Sequence, residues 1–359
     1  MVAPSHSDIS SGVTALHERA RLAQQRLAFA VVAIPTLGAL AALALLFVGV
    51  RPTAVDLTLF VVMFVATTLG IELGFHRHFT HAAFKAHPAL RTVLAVLGSM
   101  ASQGPLVFWA ATHRRHHAYS DSPGDPHSPY LAGQGRLSVR GLWHAHVGWL
   151  FRQEMTDWGR YVPDLVRDRR LLAVNQSYSL WVIAGLIIPA LIGGLVTQSL
   201  RGALSAALWG GLVRTFVLHH ATWSVNSICH VLGARPYPTR GRSTNNVWLA
   251  LPTLGGAWHN NHHANPSLAK NNVFPWQVDG CGAFLTLAEK LGLAWDAHVP
   301  TERMRRAALG AQLSEGEAHA DCDSTSPRSS PVPPNSRRPS PSFEKTSERV
   351  RTDGGSDVR

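Results

Sequence analysis

Three histidine clusters are the residues of this chain best suited to chemistry. They read His-Arg-His-Phe-Thr-His at 76–81, His-Arg-Arg-His-His at 113–117 and His-Asn-Asn-His-His at 259–263. A neutral imidazole is a good ligand for iron, copper, zinc or nickel. Only three of the 359 residues are cysteines and none forms a C-x-x-C pair, which excludes a thiolate zinc site and a disulfide framework. The sequence therefore predicts a metal centre built from histidine.

The spacing within each cluster determines which imidazoles can converge. Successive residues of an α-helix are about 100° apart, so each H-x-x-H-H places three imidazoles on one face. His76 and His81 are five positions apart, and they converge only if the helix ends or distorts between them. Eight candidate ligands are too many for one tetrahedral ion and suit two ions of higher coordination number. The eight candidates are His76, His81, His113, His116, His117, His259, His262 and His263.

Redox-active iron fits better than structural zinc, because a scaffold within the membrane does not need a structural ion to hold it together. No carboxylate lies within the clusters, so the pattern differs from that of the di-iron carboxylate bundles. We expect two iron ions per chain, which zinc could replace in a recombinant preparation.

Four apolar stretches are long enough to cross a bilayer, which takes about 20 residues. They form two close pairs, at about 27–50 and 55–75 and at about 180–200 and 204–223. Another apolar stretch, 90–111, is interrupted by polar residues and predicts a partly inserted or surface-lying helix. Arg214 falls inside the fourth stretch and is expected either to snorkel or to face protein.

Basic residues set the expected orientation. The link within each pair carries a single arginine, Arg51 or Arg201, whereas 74–173 holds twelve Lys/Arg and 224–309 holds eight. Because positively charged loops stay in the cytoplasm, we expect both termini and the histidine clusters to be cytoplasmic. In a bacterium, the membrane would be the plasma membrane.

Composition divides the chain into three parts. Residues 1–26 form a predicted cytoplasmic N-terminal segment, and 27–309 form the membrane domain. Residues 310–359 hold six of the 22 prolines and ten serines, and we expect them to be disordered. The predicted fold class is an all-α integral membrane protein. Four transmembrane helices would form two hairpins, and a cytoplasmic helical cap would hold the histidine-rich site.

The order of the three clusters around two pairs of spans resembles the membrane fatty acid desaturases. Further segments resemble the acyl-CoA Δ9 (stearoyl-CoA-type) branch of that family, over about residues 25–300. These segments are Asp125-Pro126-His127, His146-Val147-Gly148-Trp149, the W-x-V-N-S-x-x-H run from Trp223 to His230, and Arg235-Pro236-Tyr237.

The resemblance implies a di-iron centre held by nine histidines, with an asparagine that holds a metal-bound water. The matching positions are the eight candidates plus His230, with Asn226 as the asparagine. No catalytic side chain is expected beyond this metal site. Asp125, His127 and His220 are candidates to orient the ligands.

The activity implied by the resemblance is O2-dependent introduction of a cis Δ9 double bond into saturated fatty acyl-CoA. We expect a separate electron donor, such as a ferredoxin, a rubredoxin or a cytochrome b5 with its reductase. No haem, flavin, nicotinamide or iron–sulfur motif is visible in the sequence. The net charge of +11 suits membrane lipid and CoA as anionic partners, and it equally suits basic residues that only set the orientation in the membrane. No nucleic-acid partner is expected.

Two other function classes share part of this pattern. A fatty acyl or lipid hydroxylase, or an alkane monooxygenase, uses the same histidine boxes and would form an alcohol instead of an alkene. A membrane metal transporter would need ionisable residues along its spans, where only Arg214 and Glu72 qualify. The accepted chain length and the acyl carrier stay open at this point.

Overall fold

The computed structural model describes residues 12–15, 18–130, 136–152 and 154–310, and these residues are mostly helical. The tail beyond residue 310 and the start of the N-terminal segment lie outside the described residues, so the predicted disorder of the tail stays a prediction. In chain order the elements are β1 (Val13–Ala15), α1 (Glu18–Phe47), α2 (Ala54–Leu69), a π-helix (Gly70–Thr80), β2 (Lys85–Ala86), α3 (Pro88–Met100), α4 (Leu106–Tyr119), α5 (Val139–His146), a 3-10 helix (Gly148–Phe151), β3 (Glu154–Thr156), α6 (Trp158–Tyr161), α7 (Pro163–Val166), α8 (Arg169–Gln176), α9 (Tyr178–Thr197), α10 (Leu200–Ala206), a second π-helix (Ala207–Val213), α11 (Arg214–Ser227), a 3-10 helix (Ile228–His230), α12 (Val247–Ala250), α13 (His259–Ala264), α14 (Gly280–Lys290) and β4 (Ala294–Trp295).

The first pair of apolar stretches forms two long helical runs. Helix α1 begins nine residues before the predicted start of the first span and ends three residues before its predicted end. Helix α2 begins with a capping box, in which Thr53 and Asp56 bind each other's backbone N–H groups. It continues directly into the π-helix, so the run extends five residues beyond the predicted end at 75.

Among the described residues, three helical runs are long and apolar enough to cross a membrane: Glu18–Phe47, Ala54–Thr80 and Tyr178–Thr197. The fourth predicted span corresponds to the consecutive helical segments from Leu200 to Ser227, and its crossing of the membrane stays a prediction. Arg214 lies in this run and is fully buried, with Nη2 donating to the carbonyl oxygen of Gly185 at 2.9 Å. It therefore faces protein and does not snorkel.

The interrupted apolar stretch at 90–111 forms two helices instead of the predicted one. Helix α3 ends at Met100 and α4 begins at Leu106. Between them Ser102 and Gly104 have left-handed backbone conformations, with φ of 59° and 100°. Such conformations cannot continue an α-helix, so they end α3 and turn the chain into α4.

The all-α prediction omitted two small antiparallel sheets. Strand β1 pairs with β3, and β2 pairs with β4. The first sheet holds residues 13–15 against 154–156, which fixes the start of α1 beside the segment that follows α5.

Candidate metal centre

The first histidine cluster lies in the π-helix that follows α2. A π-helix forms hydrogen bonds five residues apart, and the backbone N–H of His81 donates to the carbonyl oxygen of His76 at 3.2 Å. This wider turn brings the two rings to a centroid distance of 5.1 Å. The expected distortion between His76 and His81 is confirmed.

The second and third clusters lie on α4 and α13, and each H-x-x-H-H has its three imidazoles on one helical face. Arg114, inside the second cluster, joins α4 to the end of the π-helix. Its guanidinium donates to the carbonyl oxygens of Phe79 and Thr80, both at 2.9 Å. The arginine between the histidines therefore fixes one cluster against another.

The structure places all nine histidines in two adjoining groups, and the ligand nitrogens within each group lie within 4.8 Å of one another. Ring centroids of His117 and His263, one from each group, are 4.5 Å apart. The five-histidine group is His76, His81, His113, His117 and His262, and the four-histidine group is His116, His230, His259 and His263.

The nitrogen geometry fits a pair of bound cations. The Nε2 atom of His262 is 3.0 Å from Nε2 of both His76 and His117, and similar contacts join His259 to His230 and His263, also at 3.0 Å. Lone pairs of facing imidazoles repel each other unless a proton or a cation lies between them. Nε2 of His81 is buried and has no hydrogen-bond partner. Buried polar atoms are rarely left in this state, so the donor set suits metal ions that prefer imidazole.

Three buried carboxylates contact histidines of the two groups from behind. A carboxylate only accepts hydrogen bonds, so the histidine Nδ1 carries the proton and Nε2 is left free for a metal. The pairs, with their shortest Nδ1–O distances, are Glu72–His76 (3.1 Å), Asp125–His116 (3.0 Å) and Asp121–His230 (2.8 Å).

Sequence reasoning named Asp125 in this role but missed Glu72 and Asp121. Glu72 could have been found, because it precedes His76 by four residues in one helical run. Asp121 had no such signal, because its partner His230 is 109 residues away in the chain.

Burial keeps most of these histidines neutral. Removal from water, and then repulsion by neighbouring imidazoles, lowers the pKa of six histidines well below the usual 6.5. They are His81, His113, His117, His259, His262 and His263. Neutral imidazole is the form that binds metal. His116 differs, because the carboxylate of Asp125 outweighs the effect of its burial and raises its pKa.

An amide network holds the short helix α13 in place. The side-chain oxygen of Asn245 accepts the backbone N–H groups of Asn260 and Asn261 at 2.9 and 3.1 Å. The side chain of Asn261 also donates to Gln277 at 3.1 Å. Asn260 and Asn261 lie between the histidines of the third cluster. Their role was missed, because sequence reasoning considered only the imidazoles.

The remaining predicted residues have different surroundings. The ring of His127 stacks on His116 at a centroid distance of 4.4 Å, and burial is the main cause that lowers its pKa to about 3. Nδ1 of His220 instead lies 2.9 Å from Nε2 of His146. The described contacts of His220 include none of the nine histidines, so the structure gives no support to its predicted orienting role.

An apolar cavity of about 430 Å³ reaches the five-histidine group at His113. His127 and Asn226, the asparagine predicted to hold a metal-bound water, line the same cavity. Helix α1 forms one wall. Gln103 and Thr222 also line the cavity.

Fold and site together define a mostly helical protein with membrane-length apolar helices and a buried histidine site able to hold metal. Comparison with known proteins gives its family. The sequence profile described as "Fatty acid desaturase" matches residues 52–273, more than half of the chain. This chain is a member of the fatty acid desaturase family, and its relatives include acyl-CoA and acyl-lipid desaturases and an acetylenase.

Three relatives show the range of this similarity. A hex-5-enoyl-[acyl-carrier protein] acetylenase of Moorena producens is 43% identical over 76% of this chain and 85% of its own length. An acyl-CoA C20 Delta5-desaturase of Anemone leveillei is 38% identical, over 66% of this chain and 72% of its own. An sn-1 stearoyl-lipid 9-desaturase of Anabaena variabilis is 36% identical, over 63% and 77% respectively.

Proposed function

We propose that the protein inserts a cis Δ9 double bond into saturated fatty acyl-CoA, using O2 and two external electrons, with two iron ions held by the nine histidines. The balanced reaction takes –CH2–CH2–, O2, two electrons and two protons to –CH=CH– and two water molecules. The observation that carries this proposal is the apolar cavity that reaches a buried cluster of imidazoles. Iron bound there would supply the oxidant that no side chain can provide.

The chain's own residues bind the substrate and keep water away. The cavity lining is predominantly apolar, which suits an acyl chain. In the cavity wall, Gln103 Nε2 donates to Thr222 Oγ1 at 3.0 Å, so these two polar side chains pair with each other. Asn226, which lines the cavity, would hold a metal-bound water molecule, and this role rests on the family resemblance. The acyl chain is thereby oriented with one segment beside the imidazoles.

The proposed setting is a membrane in which both termini and the metal site face the cytoplasm. Four spans in two hairpins would carry a helical cap, with the run from Leu200 to Ser227 as the fourth span. The carrier headgroup would then stay in water while the acyl chain enters the cavity. A separate ferredoxin, rubredoxin or cytochrome b5 would deliver the electrons, and membrane lipid would surround the spans.

The identity of 43% to an acetylenase favours a second candidate function. The same site would then remove two hydrogens from an enoyl chain on an acyl-carrier protein and form a triple bond. The two candidates share the cavity and the histidines, and they differ in the substrate and in its carrier.

Fatty-acid profiling tests the proposed function. We expect expression in a host that cannot make unsaturated fatty acids to restore its growth, and monoenes with the double bond at carbon 9 to accumulate. Purified protein is then given saturated acyl-CoA, saturated acyl-carrier protein and enoyl-acyl-carrier protein in separate reactions with O2 and reduced ferredoxin. Alcohol products would contradict desaturation, and triple-bond products from the enoyl substrate alone would favour the second candidate.

Narrowing the cavity should shorten the acyl chain that the protein accepts. Ala28 is buried in α1 and lines the cavity, so Ala28→Phe places a ring in the space proposed for the substrate. We expect turnover of an 18-carbon substrate to fall about tenfold more than turnover of a much shorter substrate. The long chain loses the binding energy of the methylene groups that the filled part of the cavity would have held. Product yields across a chain-length series measure this.

Ala41→Phe is the matched control for this prediction. Ala41 lies on the same helix and is exposed, so the same substitution there should leave the chain-length profile unchanged. Equal effects of the two variants would contradict the assignment of this cavity to the acyl chain.

A further inference from the structure

The three carboxylates behind the histidines are held by this chain in fixed positions. Asp121 accepts the backbone N–H of Arg242 at 2.6 Å and the hydroxyl of Ser128 at 2.7 Å. Asp125 accepts the backbone N–H of Asp121 at 2.8 Å and that of His127 at 3.0 Å.

The carboxyl group of Glu72 packs closely against Gly256. A Cβ atom at Gly256 would lie 2.7 Å from the carboxyl group of Glu72, so any other residue at that position would collide with it. Glu72 and His76 are both almost completely buried and lie in one helical run. Three different local arrangements therefore place a carboxylate at the Nδ1 atom of a histidine.

The carboxylates are distributed unequally between the two groups. Of the carboxylates in the described part of the chain, the five-histidine group has one at Nδ1, Glu72, whereas the four-histidine group has two, Asp121 and Asp125. A carboxylate at Nδ1 orients the ring and makes Nε2 a stronger donor to a metal. The group with fewer histidines therefore has the greater support from behind.

We infer that Glu72, Asp121 and Asp125 are positioning residues of the metal centre, and that the two aspartates compensate the four-histidine group for its smaller number of ligands. The inference rests on the proposed function in requiring two metal ions per chain. According to this inference, the two metal positions depend to different degrees on their carboxylates. The four-histidine position depends on Asp121 and Asp125, and the five-histidine position, with more ligands, depends less on Glu72.

Neutral isosteres test this division. Asp121→Asn and Asp125→Asn keep the side-chain shape and one acceptor oxygen, but they lose the charge. We expect each to weaken metal binding at the four-histidine position about 10–100-fold. Under a chelator concentration at which the wild-type chain keeps two irons, each aspartate variant should keep one, and Glu72→Gln should keep more than one.

Two measurements on the purified full-length protein check this. Iron per chain is determined after dialysis against increasing EDTA, and Mössbauer spectra of protein loaded with 57Fe show the two iron environments. Loss of Asp121 or Asp125 should change one spectral component and leave the other. Saturating iron should restore it, which a collapsed structure would not allow.

Asp56→Asn is the matched control. Asp56 is also a buried carboxylate and lies in the first turn of the same helical run as Glu72. It completes the capping box of α2 and accepts from Ser205 at 2.8 Å, with no contact to the histidines. It should keep both irons at every EDTA concentration that the wild type tolerates.

Several outcomes overturn the inference. The first is wild-type resistance to EDTA in both aspartate variants. The second is simultaneous loss of both irons in these variants, and the third is an equal loss of iron in Asp56→Asn. If one aspartate variant does not fold, the other tests the same claim through a different histidine. A wild-type chain that never binds two irons would instead contradict the metal centre of the proposed function.

Discussion

Replacing His262 by alanine is expected to remove the metal from the five-histidine group and to lower desaturation more than about 100-fold. Nε2 of His262 lies 3.0 Å from Nε2 of both His76 and His117, so it lies at the centre of that group. Changes to residues that only support a metal ligand already cost about 10–100-fold in affinity or activity. Loss of a ligand should exceed this.

Iron per chain and the yield of unsaturated product are measured together for this variant. His78→Ala is the internal control, because His78 belongs to the same sequence cluster but lies outside both metal groups. Its Nδ1 lies 3.1 Å from the carbonyl oxygen of Phe84 instead. We expect His78→Ala to keep two irons. Unchanged iron and activity in His262→Ala would refute the proposed metal site.

The convergence of the histidines could be predicted from the sequence because it follows from local helix geometry. Positions 113, 116 and 117 share a face on any α-helix, and α4 has that form. The distortion between His76 and His81 was also predictable, since five-residue spacing does not fit an α-helix. Its form, an eleven-residue π-helix, was not predictable, because such helices depend on packing against neighbouring elements.

The division into two groups was beyond sequence reasoning, since it depends on contacts between distant parts of the chain. The second cluster itself is split: His113 and His117 join one group and His116 joins the other. Neighbouring residues of one helix thus serve two metal positions. His230 was identified only through the family resemblance, and its partner Asp121 was not identified at all.

The arginine next to His76 has a role that the sequence did not suggest. Arg77 is fully buried, and its two terminal nitrogens each donate to one carboxylate oxygen of Asp279 at 2.9 Å. One of them also donates to the carbonyl oxygen of Ala269. The pair joins the first histidine cluster to the segment that follows the third, so it fixes the relative position of ligands from both.

Removing one partner of this pair should destabilise the fold strongly. We expect Asp279→Ala to lower the free energy of unfolding by about 3–5 kcal/mol, because it leaves the guanidinium of Arg77 buried without a counter-charge. Arg77→Met should cost less. Asp279 would still accept the backbone N–H groups of Asn271 at 2.7 Å and Gly282 at 2.9 Å, whereas Arg77 has no second carboxylate within hydrogen-bonding distance in the described structure.

The free energies of unfolding are compared by heating the purified variants in detergent or by adding denaturant. The double variant Arg77→Met/Asp279→Asn is expected to be more stable than Asp279→Ala alone. It removes the unpaired guanidinium and keeps an acceptor for the N–H groups of Asn271 and Gly282. Two results would contradict the role assigned to the buried charge of Arg77. One is an Asp279→Ala variant as stable as the wild type, and the other is a double variant less stable than both single variants. The capping of α14 by Asp279 would then be the stronger reason for a carboxylate at that position.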